Sequence, residues 1–362
     1  MSSTHPLRFA LAPVLAFALS GWAVPIGATM TSQDRAVPHY DHMLVIVEEN
    51  KSYTTILDER FAPTVARLAA TYGSAQQMYA ERHPSEPNYV AILGGDTFGI
   101  ADDDAWYCVP NSSQPNYGHS GNAGYVKHLV DGANLATQLQ AKGLDWRAYL
   151  EDLPDPGSLA IFSEETANAP AQLYAAKHTG FTNFHSVHDD PKLRERLVGF
   201  DRLHADLRSG NVPAFAFVIP NQCNDMHGRK ASPKTPQDCA DDTNALITRG
   251  DSYLKTLIDE IQASPIWQNG NTAIVVTWDE NDDAGRTSGA QFCCVLDSNN
   301  PGGGLIPTLV ITNHGPRGLK DPTPYDHYSL LRTIEDALGL DGHLRHADDT
   351  SVLPMTALFA VR

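Results

Sequence analysis

Four short segments of the chain are almost continuously apolar, and amphipathic helical patterns separate them. The apolar segments have the length and composition of buried strands: His42 to Val47, Ala214 to Ile219, Ala273 to Trp278 and Leu305 to Ile311. Strands of this kind, alternating with helices, predict an α/β fold with a mostly parallel central sheet. In such sheets, functional groups collect just beyond the carboxyl ends of the strands.

The helical patterns lie between these strands. They cover Pro63 to Tyr72, Asn134 to Ala141, Leu193 to Leu207, Thr243 to Ala263 and His327 to Leu338. Residues 96–181 are rich in Gly, Asn, Pro and Asp, and we expect irregular insertion loops there. With 362 residues, of which 42% are hydrophobic and 19% charged, the chain can bury a substantial core. We therefore predict one domain over residues 38–362.

The first 28 residues have the layout of a secretory signal peptide. A single cation, Arg8, precedes an apolar run from Phe9 to Leu19, and small residues follow around Ala23 and Ala28. The run is short for a membrane span, and an uncleaved membrane anchor is the alternative. We expect export to the periplasm or the medium, with no stable membrane insertion.

The formal net charge of the chain is −17 at pH 7. A surface of this sign repels nucleic acids and anionic membranes as a whole, so we expect no nucleic-acid partner. A phosphate substrate needs a local cation to offset the field, and a metal ion is the expected source.

The five cysteines fit an exported protein. We predict a disulfide between Cys223 and Cys239, because the loop between them is rich in Pro, Lys and Asp and gains from a cross-link. The odd number leaves at least one thiol among Cys108, Cys293 and Cys294 without a partner in the chain, or in an intermolecular bond.

Two of the predicted strands end on acidic residues. Glu49 and Asn50 follow the first strand, and Asp279 and Glu280 follow "AIVVTW" in the same way. Because the carboxyl ends of parallel strands share one edge of a sheet, the two pairs can converge on one cation. Their oxygen donors suit Mg²⁺, Ca²⁺ or Mn²⁺, although carboxylates also bind Zn²⁺. Either pair alone is typical of a solvated turn.

Ser85 precedes the predicted start of a helix in "HPSEPNYVAILGG". Most serines at such a position are N-caps. The same position puts a hydroxyl in the positive potential of the helix N-terminus, which favours an alkoxide and an incoming phosphate. Capping and catalysis are compatible interpretations here.

Two histidines follow acidic residues at other element ends. In "FVIPNQCNDMHG", a strand runs into Asp225 and His227, and the alternatives for His227 are a structural role and a role in phosphate binding or proton transfer. In "YDHYSLLRTIEDALGL", Asp326 either caps a helix or orients His327.

Rival catalytic signatures are missing from the sequence. "YGHSGNAG" has Asn122 where a G-x-S-x-G elbow needs its second glycine, and the chain has neither a GK[ST] loop nor an HExxH motif. "DENDDAGRTSGA" has Ala284 in place of the EF-hand turn glycine and Ala290 in place of its final glutamate. Esterase, P-loop NTPase, zincin and EF-hand interpretations therefore lose support.

Five motifs, in fixed order, resemble one family. They are "HMLVIVEENKSY", "HPSEPNYVAILGG", "VIPNQCNDMHG", "VVTWDEND" and "DHYSLLRTIEDALGL". Their order is similar to that of the bacterial phosphoesterase family, which joins secreted acid phosphatases to non-haemolytic phospholipases C. The chain most resembles the short secreted acid phosphatases that act on phosphoinositides, from Asp41 to Leu340. The resemblance implies an alkaline phosphatase-like, three-layer α/β sandwich with a mostly parallel sheet and helices on both faces.

The resemblance also implies roles for individual residues. Five residues would hold a divalent metal ion: Glu49, Asn50, Ser85, Asp279 and Glu280. Three would act in catalysis: Ser85 as the nucleophile that forms a phosphoserine, Asn88 as a contact of a non-bridging phosphate oxygen, and His227 as the group that stabilises charge or protonates the leaving group. Asn224 and Gly228 depart from the "HDxHD" pattern of longer members, and this bears on the role of His227.

The expected function is the hydrolysis of phosphomonoesters by a secreted, metal-dependent acid phosphatase. The substrate would be a small phosphorylated molecule or a phosphoinositide headgroup, attacked in line by Ser85. One alternative is a phosphodiesterase of the phospholipase C type. The other, from a different class, is an inactive secreted metal-binding protein, which the presence of Ser85 beside all four proposed strand-end ligands disfavours.

Overall fold

A computed structural model describes residues 1–2, 36–105, 126–166, 172–241, 244–282 and 302–360. The predicted signal peptide, apart from its first two residues, lies outside the described residues, as do Cys108, Cys293 and Cys294. Within the described ranges, none of the helices has the length and apolar character needed to cross a membrane.

One eight-stranded sheet organises the described chain. Its strands are β1 His42–Glu48, β2 Gly73–Ala80, β3 Trp146–Leu150, β4 Leu197–Val198, β5 Phe215–Ile219, β6 Thr272–Trp278, β7 Gly304–Thr312 and β8 Leu319–Asp326. They lie in the order β4-β3-β5-β1-β6-β7-β2-β8. Only β7 runs against the others in this sheet, since it pairs antiparallel with both β6 and β2. The predicted α/β fold with a mostly parallel sheet is confirmed.

Helices pack against this sheet and connect its strands. The α-helices are α1 Tyr53–Ile56, α2 Pro63–Thr71, α3 Glu86–Gly94, α4 Leu135–Lys142, α5 His185–His188, α6 Pro191–Arg194, α7 Phe200–Ser209, α8 Asn244–Ala263, α9 Pro265–Asn269, α10 His327–Ala337 and α11 Thr356–Phe359. Short 3₁₀ helices occur at Ala176–His178, Phe181–Asn183, Gln237–Cys239 and Arg345–Asp348.

The two central strands are buried on both faces, which explains their unbroken apolar sequences. All seven residues of β6 are buried, as are six of the seven in β1. β1 pairs with β5 on one side and with β6 on the other, both in parallel. The functional groups that follow these three strands therefore emerge at one edge of the sheet.

The predicted elements are recovered closely where the apolar period is strong. All four predicted strands are present, and α2, α4, α8 and α10 match their predicted helices within about two residues. The single helix predicted from Leu193 to Leu207 is wrong. Strand β4 and Gly199 separate α6 from α7 there, because an apolar pair, Leu197–Val198, adds an edge strand to β3.

The stretch 96–181, predicted as irregular insertion loops, is only partly irregular. Where it is described, it contains α4 and also strand β3, which belongs to the central sheet. The stretch is therefore not an insertion throughout. Strand β3 has no continuous apolar run, because Arg147 interrupts it. Ion pairs with Asp145 and Asp206 hold Arg147 at the surface.

The predicted disulfide between Cys223 and Cys239 is present. It closes a loop after β5 that carries several candidate functional residues. Both cysteines are buried, so the cross-link fixes the base of that loop.

The buried carboxyl group of Glu335, on α10, predicts how the stability of the protein depends on pH. Burial raises the pKa of Glu335 to about 8, although its Oε1 accepts a 2.9 Å hydrogen bond from the Leu344 amide. A raised pKa in the folded state stabilises the protein fully below the unfolded pKa near 4.5, and this contribution is lost as pH rises toward 8. Glu335→Gln should therefore raise the unfolding free energy at pH 8 by about 4 kcal/mol and change it little at pH 4.5.

Thermal unfolding of the wild type and of E335Q across this pH range measures the effect. Glu59→Gln, at an exposed position, is the control. Parallel pH profiles for the wild type and E335Q would contradict the assignment of a neutral Glu335.

Candidate active site

Three parallel strands deliver acidic residues to one place at the edge of the sheet. Glu48 pairs with Trp278, so the residues that follow, Glu49 and Asp279, leave the sheet side by side. The Asp279 amide donates to the Glu48 carbonyl at 3.0 Å, and the Glu49 amide donates to the carbonyl of Asp225 at 2.8 Å. The strand-end residues of β1, β5 and β6 are thus tied together through the backbone.

Asn50 completes this arrangement in a left-handed conformation with φ of 52°. Its backbone N–H donates to Asp279 Oδ1 at 3.0 Å, and its side-chain Nδ2 donates to Glu49 Oε2 at 2.9 Å. Asparagine tolerates a positive φ better than most residues, because its short polar side chain hydrogen-bonds locally. The predicted ligands Glu49, Asn50 and Asp279 are therefore in direct contact.

The Ser85 hydroxyl lies inside this acidic cluster. Its Oγ is 3.2 Å from Glu49 Oε2 and 3.2 Å from Glu280 Oε1, and the residue is only 1% exposed. Ser85 makes no side-chain capping bond to helix α3. Asp103 takes the place of a cap, since its Oδ1 accepts a hydrogen bond from the Glu86 amide at 3.0 Å. The hydroxyl is left facing the carboxylates.

Asn88 holds the loop that carries Ser85. Its Oδ1 accepts hydrogen bonds from the amides of Glu81 and Arg82, both at 3.0 Å, and its Nδ2 donates to the Arg82 carbonyl at 2.9 Å. The residue is fully buried. Its polar atoms are occupied by the backbone in this structure, so the phosphate contact stays a prediction, and the observed contacts are those of a residue that positions the nucleophile loop.

His83 orients Glu280. Its Nδ1 forms an ion-pair contact with Glu280 Oε2, and its Nε2 lies 3.0 Å from the side-chain amide of Asn281. The Asn281 amide satisfies both of its ends when its nitrogen donates to His83 Nε2 and to the Gly303 carbonyl. Glu280 is therefore fixed on one oxygen by His83 and presents the other to Ser85.

The cluster concentrates negative charge in a buried place. Burial, and then the charge of Glu49, raises the pKa of Asp279 and of Asp225 well above the usual range. Burial, and then the charges of Asp279 and Glu49, raises the pKa of Glu280 in the same way. The carboxyl groups of Glu49 and Asp279 contact each other directly. Carboxylates that repel one another out of water are stabilised by a cation among them, so this donor set fits a hard divalent ion.

Two histidines border the acidic cluster on the β5 side. His178 Nε2 lies 2.9 Å from Glu49 Oε1, and one nitrogen of each histidine lies within 4.8 Å of a Glu49 oxygen and of the other. Burial, and then the charge of Lys177, lowers the pKa of both His178 and His227 well below the usual range. Both imidazoles are therefore neutral at pH 7.

Glu49, His178 and His227 thus form a second possible group of metal ligands. The ammonium of Lys177, however, is 3.4 Å from His227 Nε2. A cation on that nitrogen would be repelled at short range by the ammonium. The acidic cluster of Glu49, Asn50, Ser85, Asp279 and Glu280 is the better cation site on this physical ground.

Other residues predicted from strand and helix ends support the site from a distance. Asp326 accepts a 2.7 Å hydrogen bond from the Ser329 amide and is an N-cap. His327 Nε2 lies 3.1 Å from the carbonyl of Trp278, the last residue of β6, so it steadies the strand that carries Asp279. Asn224 donates to Glu151 and lies outside the acidic cluster.

The sequence interpretation missed Lys177 and His178. Both lie in the 3₁₀ helix Ala176–His178, within the stretch predicted as irregular loops. No strand ends directly before them, so the strand-end rule gives no signal for "YAAKHTG". Only the fold brings them to Glu49.

A match over most of the chain decides its family. The phosphoesterase family model matches residues 54–341. The chain belongs to the phosphoesterase family. This agrees with the resemblance drawn from the five motifs.

Relatives of this phosphoesterase are phosphatases. A phosphatidylinositol-3-phosphatase of Mycobacterium tuberculosis is 30% identical over 306 residues, which cover 84% of this chain and 79% of that protein. An acid phosphatase of Aspergillus fumigatus is 29% identical over 279 residues, which cover 77% of this chain and 51% of that protein. The match thus spans about half the length of the fungal relative. The phosphoesterase is accordingly a hydrolase that acts on phosphoric ester bonds.

Solved structures support the fold of the phosphoesterase. A protein of the alkaline phosphatase superfamily from Vibrio parahaemolyticus superposes with a TM-score of 0.52 at 14% identity, covering 88% of this chain and 73% of that chain. The lipoteichoic acid synthase LtaP of Listeria monocytogenes gives a TM-score of 0.50 at 12% identity, covering 89% and 76%. The predicted alkaline phosphatase-like fold is confirmed.

An ion triad lies beside Ser85 in the phosphoesterase, where Glu86 joins it to the chain. His128 Nδ1 is 2.9 Å from Glu86 Oε2, and its Nε2 is 2.9 Å from Asp102 Oδ1. Burial lowers the pKa of His128, but the hydrogen bonds that its ring N–H groups donate to Asp102 and Glu86 outweigh it and raise that pKa to about 10. Glu86 directly follows Ser85, so a protonated His128 locks the start of α3 in place.

Removing the His128 imidazolium should leave two carboxylates without their counter-ion. We expect His128→Leu to lower the unfolding free energy at pH 7 by about 3–5 kcal/mol, as measured by urea denaturation. His204→Leu is the matched control, because the pair of His204 with Glu260 is 39% and 28% exposed and contributes less than about 1 kcal/mol. Equal losses for the two variants would refute the ion triad.

Proposed function

We propose that this phosphoesterase is a secreted, metal-dependent phosphomonoesterase in which Ser85 is the nucleophile. The observation that carries the proposal is the position of the Ser85 hydroxyl, 3.2 Å from a carboxylate oxygen of both Glu49 and Glu280. A hydroxyl between two buried carboxylates has acceptors for its proton and lies where a cation would sit. A serine that serves only as a helix N-cap does not need carboxylates around its hydroxyl.

The proposed metal ligands are Glu49, Asn50, Ser85, Asp279 and Glu280. When bound, a divalent ion would supply Lewis-acid polarisation of the phosphate and favour the ionised hydroxyl. The residues of the chain do the rest. Asp103 and Asn88 fix the loop around Ser85, and His83 fixes Glu280, so that the serine oxygen is held in one direction. A fixed nucleophile lowers the entropic part of the barrier to in-line attack.

The proposed reaction has two steps. The Ser85 hydroxyl gives its proton to a neighbouring carboxylate, Glu49 or Glu280, and its oxygen attacks phosphorus as the bond to the leaving oxygen breaks; the leaving group takes a proton from water and departs as an alcohol. Water then attacks the phosphoserine, the bond between phosphorus and Ser85 Oγ breaks, and inorganic phosphate is released as Ser85 regains a proton. The proposed role of His227 is limited by its tautomer. Its Nδ1 is 2.8 Å from the Gly228 carbonyl oxygen, which can only accept a hydrogen bond. Nδ1 therefore carries the proton, and Nε2 has a free lone pair. In this tautomer, His227 accepts hydrogen bonds at the site.

The proposed substrate is a small phosphorylated molecule or a phosphoinositide headgroup. The phosphatidylinositol-3-phosphatase among the relatives supports a phosphoinositide, and the acid phosphatases support a broader range of phosphomonoesters. The formed disulfide and the predicted signal peptide support secretion, since disulfides persist in oxidising compartments.

Replacement of the nucleophile tests the proposal directly. Ser85→Ala should reduce kcat for a chromogenic phosphomonoester by at least about 10³-fold, because the other hydroxyl that contacts the cluster, that of Tyr89, donates to Glu49 Oε1 at 2.9 Å and burial raises its pKa, which makes it a poor replacement nucleophile. Ser209→Ala, at an exposed serine of α7, should have wild-type activity. Turnover by S85A within tenfold of the wild type would exclude Ser85 as the nucleophile.

Metal removal tests the acidic cluster. Dialysis against a chelator should abolish phosphate release, and one ion from a panel of Mg²⁺, Ca²⁺, Mn²⁺ and Zn²⁺ should restore it. Asp279→Asn should prevent restoration, whereas the exposed Asp201→Asn should not. Full turnover by protein shown to be metal-free by mass spectrometry would refute metal dependence.

Two further measurements distinguish the alternative functions. Release of diacylglycerol from a choline phospholipid would assign the chain to the phospholipase C type. A lower melting temperature after chelation, without hydrolysis under any condition, would assign it to inactive metal-binding proteins.

A further inference from the structure

Lys177 is a partly buried cation that neither the sequence motifs nor the proposed chemistry uses. Its Nζ donates a 2.9 Å hydrogen bond to Asp103 Oδ2 and lies 3.4 Å from His227 Nε2. Burial disfavours the charged form, but the carboxylates of Asp103 and Glu49 outweigh it and raise the pKa of Lys177. The side chain is thus a permanent positive charge beside the acidic cluster.

One carboxylate fixes both the ammonium and the nucleophile loop. Asp103 accepts the Glu86 amide on Oδ1 and the Lys177 ammonium on Oδ2. Glu86 directly follows Ser85. Asp103 therefore ties the ammonium to the backbone of the residue that follows the serine.

The ammonium has a hydrogen-bond donor to spare. Lysine carries three N–H donors. Within the described ranges, its partners are Asp103 and His227, whose Nε2 is a lone pair in the tautomer set by Gly228. The Lys177 side chain is 18% exposed, whereas Ser85 is 1% exposed, so solvent reaches part of the lysine side chain beside a buried hydroxyl. Among the described residues, two partners leave the third N–H donor available to a ligand.

Charge balance indicates what that ligand is. The site combines several carboxylates in a protein of net charge −17, and a phosphate dianion entering it needs positive charge on more than one side. Lys177 directly precedes His178, whose Nε2 lies 2.9 Å from Glu49 Oε1, and the other oxygen of Glu49 lies 3.2 Å from Ser85 Oγ. The ammonium is therefore within electrostatic range of a phosphate that approaches the hydroxyl.

We propose that Lys177 binds a non-bridging oxygen of the phosphate group that Ser85 attacks, with Asp103 as the residue that positions it. Lys177 would then be a substrate-binding residue that also stabilises the charge of the transferring phosphoryl group. The inference rests on the proposed phosphomonoesterase activity. Phosphate binding tests it without turnover.

Lys177→Gln is the most informative variant, because the amide can still donate to Asp103 while the charge is removed. The affinity for inorganic phosphate, measured by isothermal titration calorimetry on the metal-loaded protein, should fall at least about tenfold, and kcat/KM should fall about 100-fold. Lys177→Arg keeps the charge and should restore phosphate affinity to within about tenfold of the wild type. Lys192→Gln, at an exposed lysine of α6, should change neither quantity.

A merely structural Lys177 predicts a different pattern. Activity would then fall with the folded fraction, while phosphate affinity and KM stayed at wild-type values, and that result would overturn the proposal. A crystal structure of the wild-type protein with bound phosphate or vanadate does not depend on the variants folding. Lys177 Nζ within hydrogen-bonding distance of a phosphate oxygen supports the proposal, and a phosphate bound out of its reach refutes it. Phosphate binding through Lys177 without hydrolysis of any phosphomonoester would refute the proposed activity alone.

Discussion

The parallel register of β1 with β6 is the constraint on which the site depends. Because Glu48 pairs with Trp278, Glu49 and Asp279 must leave the sheet together. Hydrogen bonds from Asn50 to both of them then prevent the two carboxylates from separating. Buried carboxylates that are held close together repel each other, so they favour the binding of a cation and of a ligand that binds the same cation. The fold thus places carboxylates that repel one another around the hydroxyl of Ser85.

Three residues around this cluster restrict the conformation of Ser85 or of its neighbours. Asp103 fixes the start of α3, Asn88 fixes the backbone before it, and His83 fixes Glu280. Gly95 ends α3 with φ of 72°, where an added Cβ would lie 2.2 Å from the Leu344 carbonyl oxygen, so that end of the helix is fixed as well. Rigid support of this kind is what a nucleophile needs if binding energy is to lower the barrier to attack.

Local sequence pattern predicts the parts of the structure that depend on it. Val45 to Val47 and the run before Asp279 are buried strands, and the strand-end rule brings Glu49, Asn50, Asp279 and Glu280 together from sequence alone. Pattern fails where tertiary context decides. Strand β3 has Arg147 in its middle, and Lys177 and His178 follow no strand, so their places depend on contacts made far along the chain. Asn88 shows a further limit, because a motif supplies a residue but not the direction of its amide.

Phosphoryl transfer to Ser85 is the central step of the proposed mechanism, and acid quenching of the enzyme during turnover tests it most directly. Rapid mixing with a phosphomonoester labelled on phosphorus, followed by acid quench and peptide mapping, reports which side chain carries the phosphoryl group. We predict label on the peptide that contains Ser85, with the modification on that serine. Label that survives an alkaline quench but not the acid quench, as a phosphohistidine at His178 or His227 would, or a burst of leaving group with no labelled peptide after either quench, would contradict the mechanism.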